Sequence, residues 1–166
     1  MTGKTHSIIG SLIAVYFSKE TGTPLIVTVP ATMIGSLAPD IDLPNSTLGK
    51  KIKLLAKLIN KVFKHRTITH SIFGMLIWFL LLQGISYTIL ININITEYLS
   101  TMIPLFQFCF MLGYASHIVS DIFTPMGVQL FYPYNKFFSL KLFKSGGFAE
   151  KVIFFGSFTG IILLIA

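Results

Sequence analysis

"SIFGMLIWFLLLQGISYTILINI", residues 71 to 93, carries no charged side chain, and the uncharged run continues to Ile95. A helix of this length crosses a hydrocarbon core of roughly 30 Å. A second uncharged run goes from Thr101 to about His117, and Asn92, Asn94, Thr96 and Glu97 lie between the two. The pair predicts a helical hairpin, and its short loop, which lacks Lys and Arg, is expected outside the cell. Outward from the hairpin, Val152 to Ala166 reads as a third, short span. Ser7 to Phe17 and Pro24 to Ala38 are apolar but shorter than a full crossing, so they pack inside the bundle or span it tilted. Pro24 suits a first helical turn, Pro30 predicts a kink, and Pro39 a helix stop.

The composition agrees. Apolar residues make up 53% of the 166, and the mean hydropathy is +0.76, well above a soluble domain. Lys and Arg number 13 against 6 Asp and Glu, and most of the cations fall between Lys50 and Arg66 or between Lys136 and Lys151. Basic loops stay on the cytoplasmic side, so these blocks and the N-terminus are expected there, and the C-terminus outside. The net charge of +7 suits anionic headgroups better than nucleic acid in a chain this apolar. The lone Cys109 excludes an intramolecular disulfide and reads as a small core residue. The start, "MTGKTHSIIGSLIAVYF", resembles a signal peptide, but no small-x-small cleavage site follows and it is expected to be retained.

"TLGKKIKLLAKLINKVFK", residues 47 to 64, has Leu48, Ile52, Leu55, Ile59 and Val62 at three-to-four spacing with lysines largely opposite. It predicts an amphipathic helix on the cytoplasmic membrane surface; a basic helix packed on the protein's own core gives the same pattern. Residues 123 to 147 mix aromatic rings with lysines, as segments at headgroup level do. With no repeat or linker visible, the expected architecture is all-α. It is one integral membrane bundle over residues 1–166, with about four to five membrane-embedded helices plus one amphipathic interfacial helix.

The three aspartates and four histidines gather in short knots at segment ends: His6; Asp40 and Asp42; His65 and His70; His117 and Asp121. Ionisable groups are costly there and usually functional. The inferred topology brings all four knots to the cytoplasmic face. His117 and Asp121 have the i, i+4 spacing that shares a helix face, and imidazole with carboxylate suits zinc, manganese or iron. A hydrogen bond between helix turns uses the same pair. His65 and His70 lie about 140° apart on a helix, so a shared centre requires a break between them, with Thr67 or Thr69 as the N-cap. Without a cysteine in the set, an open, catalytic site is expected in preference to a closed structural one.

These pieces, His6, "PDID" (39–42), "HRTITHS" (65–71) and "SHIVSDIFTPMG" (116–127), resemble the bacterial and archaeal family of membrane-bound metal-dependent hydrolases, the YdjM-like proteins. The order His6, Asp40 or Asp42, His65 or His70, then His117-x-x-x-Asp121 is similar, more distantly, to the zinc-dependent phospholipase C and single-strand nuclease superfamily. That superfamily has a further His where Gly127 stands, so the likeness supports at most two of its three metal sites.

The resulting expectation is a metal-dependent hydrolase, a phosphoesterase acting on a phospholipid or other lipid-borne phosphoester at the cytoplasmic face of a bacterial or archaeal plasma (inner) membrane. One or two divalent ions, zinc first and manganese or iron as alternatives, are expected on His6, Asp40, Asp42, His65, His70, His117 and Asp121. Asp40, Asp42 and Arg66 are the candidate catalytic residues: one Asp on the metal, the other orienting water, and Arg66 clamping phosphate. Membrane lipids, anionic phospholipid above all, are the expected partners, with no nucleic acid. The alternative is a non-enzymatic membrane metal-binding or cation-transport protein. A lipid phosphatase needs an Arg shortly before His-x-x-x-Asp, and Ser100 to Ser116 has none; an intramembrane metalloprotease needs His-Glu-x-x-His, also missing.

Overall fold

A computed structural model describes residues 1–93 and 96–166. Among them six α-helices follow in chain order: α1 (Gly3–Thr21), α2 (Leu25–Leu37), α3 (Lys53–Val62), α4 (Ile72–Asn92), α5 (Glu97–Ile122) and α6 (Phe148–Ile165). Short 3₁₀ turns lie at Pro39–Asp42 and Ile68–His70. The only β pairing among the described residues is an isolated bridge between Val128 and Phe138. The fold is all-α, and α4, α5 and α6 are long and apolar enough to cross a membrane. Asn94, placed by sequence in the hairpin loop, lies outside the described residues; α4 ends at Asn92, and the Thr96 hydroxyl caps α5 at Leu99 N.

Three boundaries differ from the sequence reading. α6 begins at Phe148, four residues before the predicted Val152, because Glu150 satisfies its charge locally. Its Oε2 accepts from Gly146 N–H at 2.6 Å, and its Oε1 from Thr2 N–H and the Thr5 hydroxyl, each at 2.7 Å. α1 likewise extends to both sides of the apolar core that marks it, and ends where Gly22 takes a left-handed φ of 67° and donates to Ser18 O. The amphipathic helix is shorter than residues 47 to 64: the chain from Ser46 to Ile52 is tied back in turns, with Ser46 Oγ donating to Asp40 O at 2.7 Å. Along α3, Leu54, Leu58 and Val62 point outward, Leu54 being 85% exposed. Of the predicted stripe, Val62 is outward while Leu55 and Ile59 line a groove against α4, so one side of α3 faces the bundle and the other leaves apolar side chains outside, as a helix at a membrane surface does.

The interior is built from small and polar side chains while the large apolar ones face outward, as a bundle in lipid requires. Thr28, Thr32 and Ser36 of α2 are fully buried, and Thr32 returns its hydroxyl to Thr28 O at 2.7 Å. Gly35 sits on the Phe110 carbonyl and Gly113 on the Thr32 carbonyl, so closely that an added Cβ would overlap both. Backbone thus meets backbone between α2 and α5, and this contact sets the depth at which α5 presents His117. Between α4 and α5, Gln107 Nε2 donates to Ser86 Oγ at 2.7 Å and Leu82 O at 3.0 Å, satisfying a polar group at membrane depth. Phe110, Tyr114 and Ile118 of α5 complete the core with Ala38 and Val128.

Candidate metal centre

Each helix end that carries a His or Asp reaches the same end of the bundle. α1 brings His6 on its first turns, the 3₁₀ turn after α2 brings Asp40 and Asp42, and the segment before α4 brings His65, Arg66 and His70. α5 brings His117 and Asp121 on its last turns. Two groups result whose ligand-type atoms lie within 4.8 Å of one another: His6, His117 and Asp121, and Asp40, His65 and His70. They are contiguous. His117 Nε2 is 3.1 Å from His70 Nε2 and 3.7 Å from Asp40 Oδ1, and Asp121 Oδ2 is 3.6 Å from His117 Nε2 and 3.7 Å from His70 Nε2. His6 stacks on His117 with ring centroids 3.6 Å apart.

The segment between His65 and His70 does break, as a shared centre demands. Arg66 has a φ of 66° and a 3₁₀ turn follows it. The cap of α4 is Ser71, whose Oγ accepts from Gly74 N at 3.1 Å, and not Thr67 or Thr69. Thr67 turns its hydroxyl back to Lys64 O, and Thr69 is used in the site itself.

The hydrogen bonds behind the rings fix where the imidazole protons are. His117 Nδ1–H donates to Ser36 O at 2.6 Å. Thr69 gives its hydroxyl proton to Asp42 Oδ2 at 2.9 Å, so its oxygen accepts from His70 Nδ1–H at 3.0 Å. Ser120 commits its proton to the carbonyl of Ser116 or His117, so its oxygen accepts from His6 Nδ1–H at 3.0 Å. His65 Nδ1–H donates to Asp42 Oδ1 at 3.0 Å. All four rings therefore hold their Nδ1 proton and leave the Nε2 lone pair free, the tautomer that a metal ligand adopts when its other nitrogen is anchored.

This arrangement fits a divalent cation. His6 Nε2 is buried with no hydrogen-bond partner, and its neighbour, Asp121 Oδ1 at 3.4 Å, is also an acceptor. Buried lone pairs that face one another are costly until positive charge lies between them. Two ligands about 2.05 Å from a tetrahedral zinc lie roughly 3.3 Å apart, within the range spanned by these nitrogen and oxygen atoms. Asp40 is ready to take part. Its Oδ1 lies 3.4 Å from His70 Nε2 and 3.7 Å from His117 Nε2, so a cation between them would meet one carboxylate oxygen and two imidazole nitrogens. Burial pushes His70 below its ordinary value, against the pull of Asp40.

The structure separates the sequence candidates by place. His6, His70, His117, Asp121 and Asp40 surround one space, and His65 stands at its edge, 24% exposed. Asp42 is behind them, holding His65 and Thr69. Arg66 is turned inward: NH2 meets Asp121 Oδ2 at 2.9 Å, NH1 meets Thr124 Oγ1 at 2.7 Å, and Nε is buried without a partner. Sequence reasoning named Thr69 only as a helix cap and did not single out Ser36, Ser120 and Thr124, although the last two lie beside Asp121 and in the "TP" turn. It also left aside the Met1 amino group, which donates to Asp121 Oδ1.

The fold and site together define a helical membrane protein with a buried His/Asp cluster where its helix ends meet. The model of the YdjM inner membrane protein family matches residues 1–165, and the chain belongs to that family. It is similar to the protein YvsG of Bacillus subtilis, 33% identical over 157 residues that cover 94% of this chain and 89% of that one. It is similar, too, to the inner membrane protein YdjM of Escherichia coli and that of Shigella flexneri, each 33% identical over 142 residues, 80% of this chain and 66% of the relative. No solved structure matches.

Proposed function

We propose that the chain is a metal-dependent hydrolase of the inner membrane, a phosphoesterase for a phospholipid or other lipid-borne phosphoester, with its site toward the cytoplasm. The observation that carries the reading is the set of Nε2 lone pairs on His6, His70 and His117, directed with Asp40 and Asp121 at one space. Those five residues would hold one or two divalent ions, zinc first, with His65 completing the edge. Bound there, such an ion supplies Lewis acidity toward a phosphoryl oxygen and toward water.

The protein's own groups do the rest. Asp42, through His65 and Thr69, keeps two rings in one tautomer and orientation. Arg66 holds Asp121 and retains one N–H donor, Nε, for a phosphoryl oxygen. The opening is at Asp40 and His65, whose side chains are 13% and 24% exposed while His70 and His117 are wholly buried. The lysine-rich blocks argue for the cytoplasmic side, because they share the end of the bundle on which the cluster lies.

The test is turnover by pure protein in detergent, loaded with zinc, manganese or iron in turn, on a panel of phospholipids followed by ³¹P NMR. Product release that requires metal and is lost in Asp121→Asn is expected. A metal-loaded wild-type protein that turns over none of the panel overturns the reading.

A further inference from the structure

Under α3 and along the first turns of α4 runs an apolar groove of about 330 Å³, with walls that include Ile41, Ile59, Phe63, Thr69, Trp78 and Leu81. It shares a wall with the cluster. The Thr69 hydroxyl that borders it donates to Asp42 and accepts from His70, and Ile41 stands between Asp40 and Asp42. One of its walls, Phe63, leads two residues on to His65, at the edge where the cluster is least buried.

The groove's direction is informative. From Gly74 to Leu81 it follows α4 for about 10 Å away from the cluster, into the span, as a lipid chain does from its headgroup. Charge agrees with that polarity. Lys53, Lys57, Lys61 and Lys64 are exposed on and just after α3, which covers the groove, and they supply cations at the headgroup end.

We propose that this groove seats one acyl chain of an anionic lipid, so that the phosphoester stops at the Asp40 and His65 edge. The inference rests on the hydrolase reading and adds how the substrate is recognised: by a chain drawn from the bilayer beneath α3, with the headgroup left to the cluster. It gives a role to the apolar wall that Ile41 and Thr69 build beside the cluster. It also gives α3 a second task, closing one side of the groove with Ile59 while its outer face lies on the membrane.

Trp78 is the chain's one tryptophan and lines the groove, so its fluorescence reports an occupant directly. Wild-type protein in non-brominated detergent is titrated with phosphatidylglycerol brominated on its acyl chains, without metal. Quenching should saturate at a low mole fraction, and Ile77→Phe/Leu81→Phe, which narrows the groove, should weaken the apparent affinity roughly tenfold. Ile59→Phe, on the opposite wall, should do the same and guards against misfolding of the double variant. With zinc loaded, both variants should raise KM for long-chain phosphatidylglycerol and leave dihexanoyl-phosphatidylglycerol unchanged. Quenching that rises linearly without saturation, equal in all three proteins, overturns the acyl seat. Saturable, variant-sensitive quenching with no turnover of either lipid retains the seat and overturns the hydrolase reading instead.

Discussion

His70 and His117 meet Nε2 to Nε2 at 3.1 Å, and both have already given their Nδ1 proton to another partner. Two lone pairs so close in a buried site repel each other unless a cation or a shared proton lies between them. Removing metal should therefore cost stability. Protein stripped with EDTA should melt lower than protein given zinc, and restoring zinc to a hundredfold above its Kd should return about 2.7 kcal/mol. Identical melting curves in the two states would show that a proton alone holds the pair.

Asp121 has more polar partners than any other side chain in the cluster: Arg66, His6, His70, His117 and the Met1 amine. Asp121→Asn keeps the shape and removes the charge, so bound metal should fall to background while the protein still purifies folded. His117→Ala should lose metal too, but should also leave Ser36 O without its donor and lower the melting temperature. Purified Asp121→Asn with full metal content is the result that defeats the centre.

Asp42 acts at one remove. Because it fixes His65 directly and His70 through Thr69, Asp42→Asn and Thr69→Val should each weaken metal affinity by roughly 10- to 100-fold without abolishing binding. Competition against a chelating dye gives the affinity. If Asp42 were itself the ligand, its loss would match that of Asp121, and Thr69→Val would change nothing.

The gathering of these side chains was legible in the sequence because a chain in lipid has few reasons to place ionisable groups at the ends of its spans. The i, i+4 pair of His117 and Asp121 needed only helical spacing, and the topology of three apolar runs brought the four knots to one face. The division of labour between Asp40 and Asp42 was not legible: in "PDID" both are acidic and both adjoin the turn, and only the 3₁₀ geometry sends one inward and the other back to His65 and Thr69. The same holds for Arg66. Its neighbour His65 suggested a free phosphate clamp, whereas a φ of 66° turns the guanidinium onto Asp121. The extent of α3 was misread because lysine spacing continues through Lys50 and Lys51, while Ser46 and Gly49 fold that segment into turns.

The lysines of α3 are exposed, and so are Leu54, Leu58 and Val62 beside them. That surface should hold the helix on an anionic bilayer, each lysine contributing about 1 kcal/mol near the membrane. Replacing Lys53, Lys57 and Lys61 with Gln should reduce activity on anionic vesicles several-fold more than activity in neutral detergent micelles. Equal loss in both settings would assign the lysines to folding.

The orientation can be read with two cysteines. α4 is 21 residues long, about 31 Å of helix, so its ends lie on opposite sides of a core of roughly 30 Å. The cluster and α3 are at the Ile72 end, and Asn92, exposed, is at the other. Cys109, the one native cysteine, is fully buried and gives little background to a membrane-impermeant maleimide. In intact cells Asn92→Cys should be labelled and Lys57→Cys should not; in inverted vesicles the pattern should reverse. Labelling of Lys57→Cys alone from outside would turn the molecule over and place the site away from the cytoplasm. Labelling of both from one side would mean that α4 does not cross at all, and the bundle would then lack the span from which its whole architecture is argued.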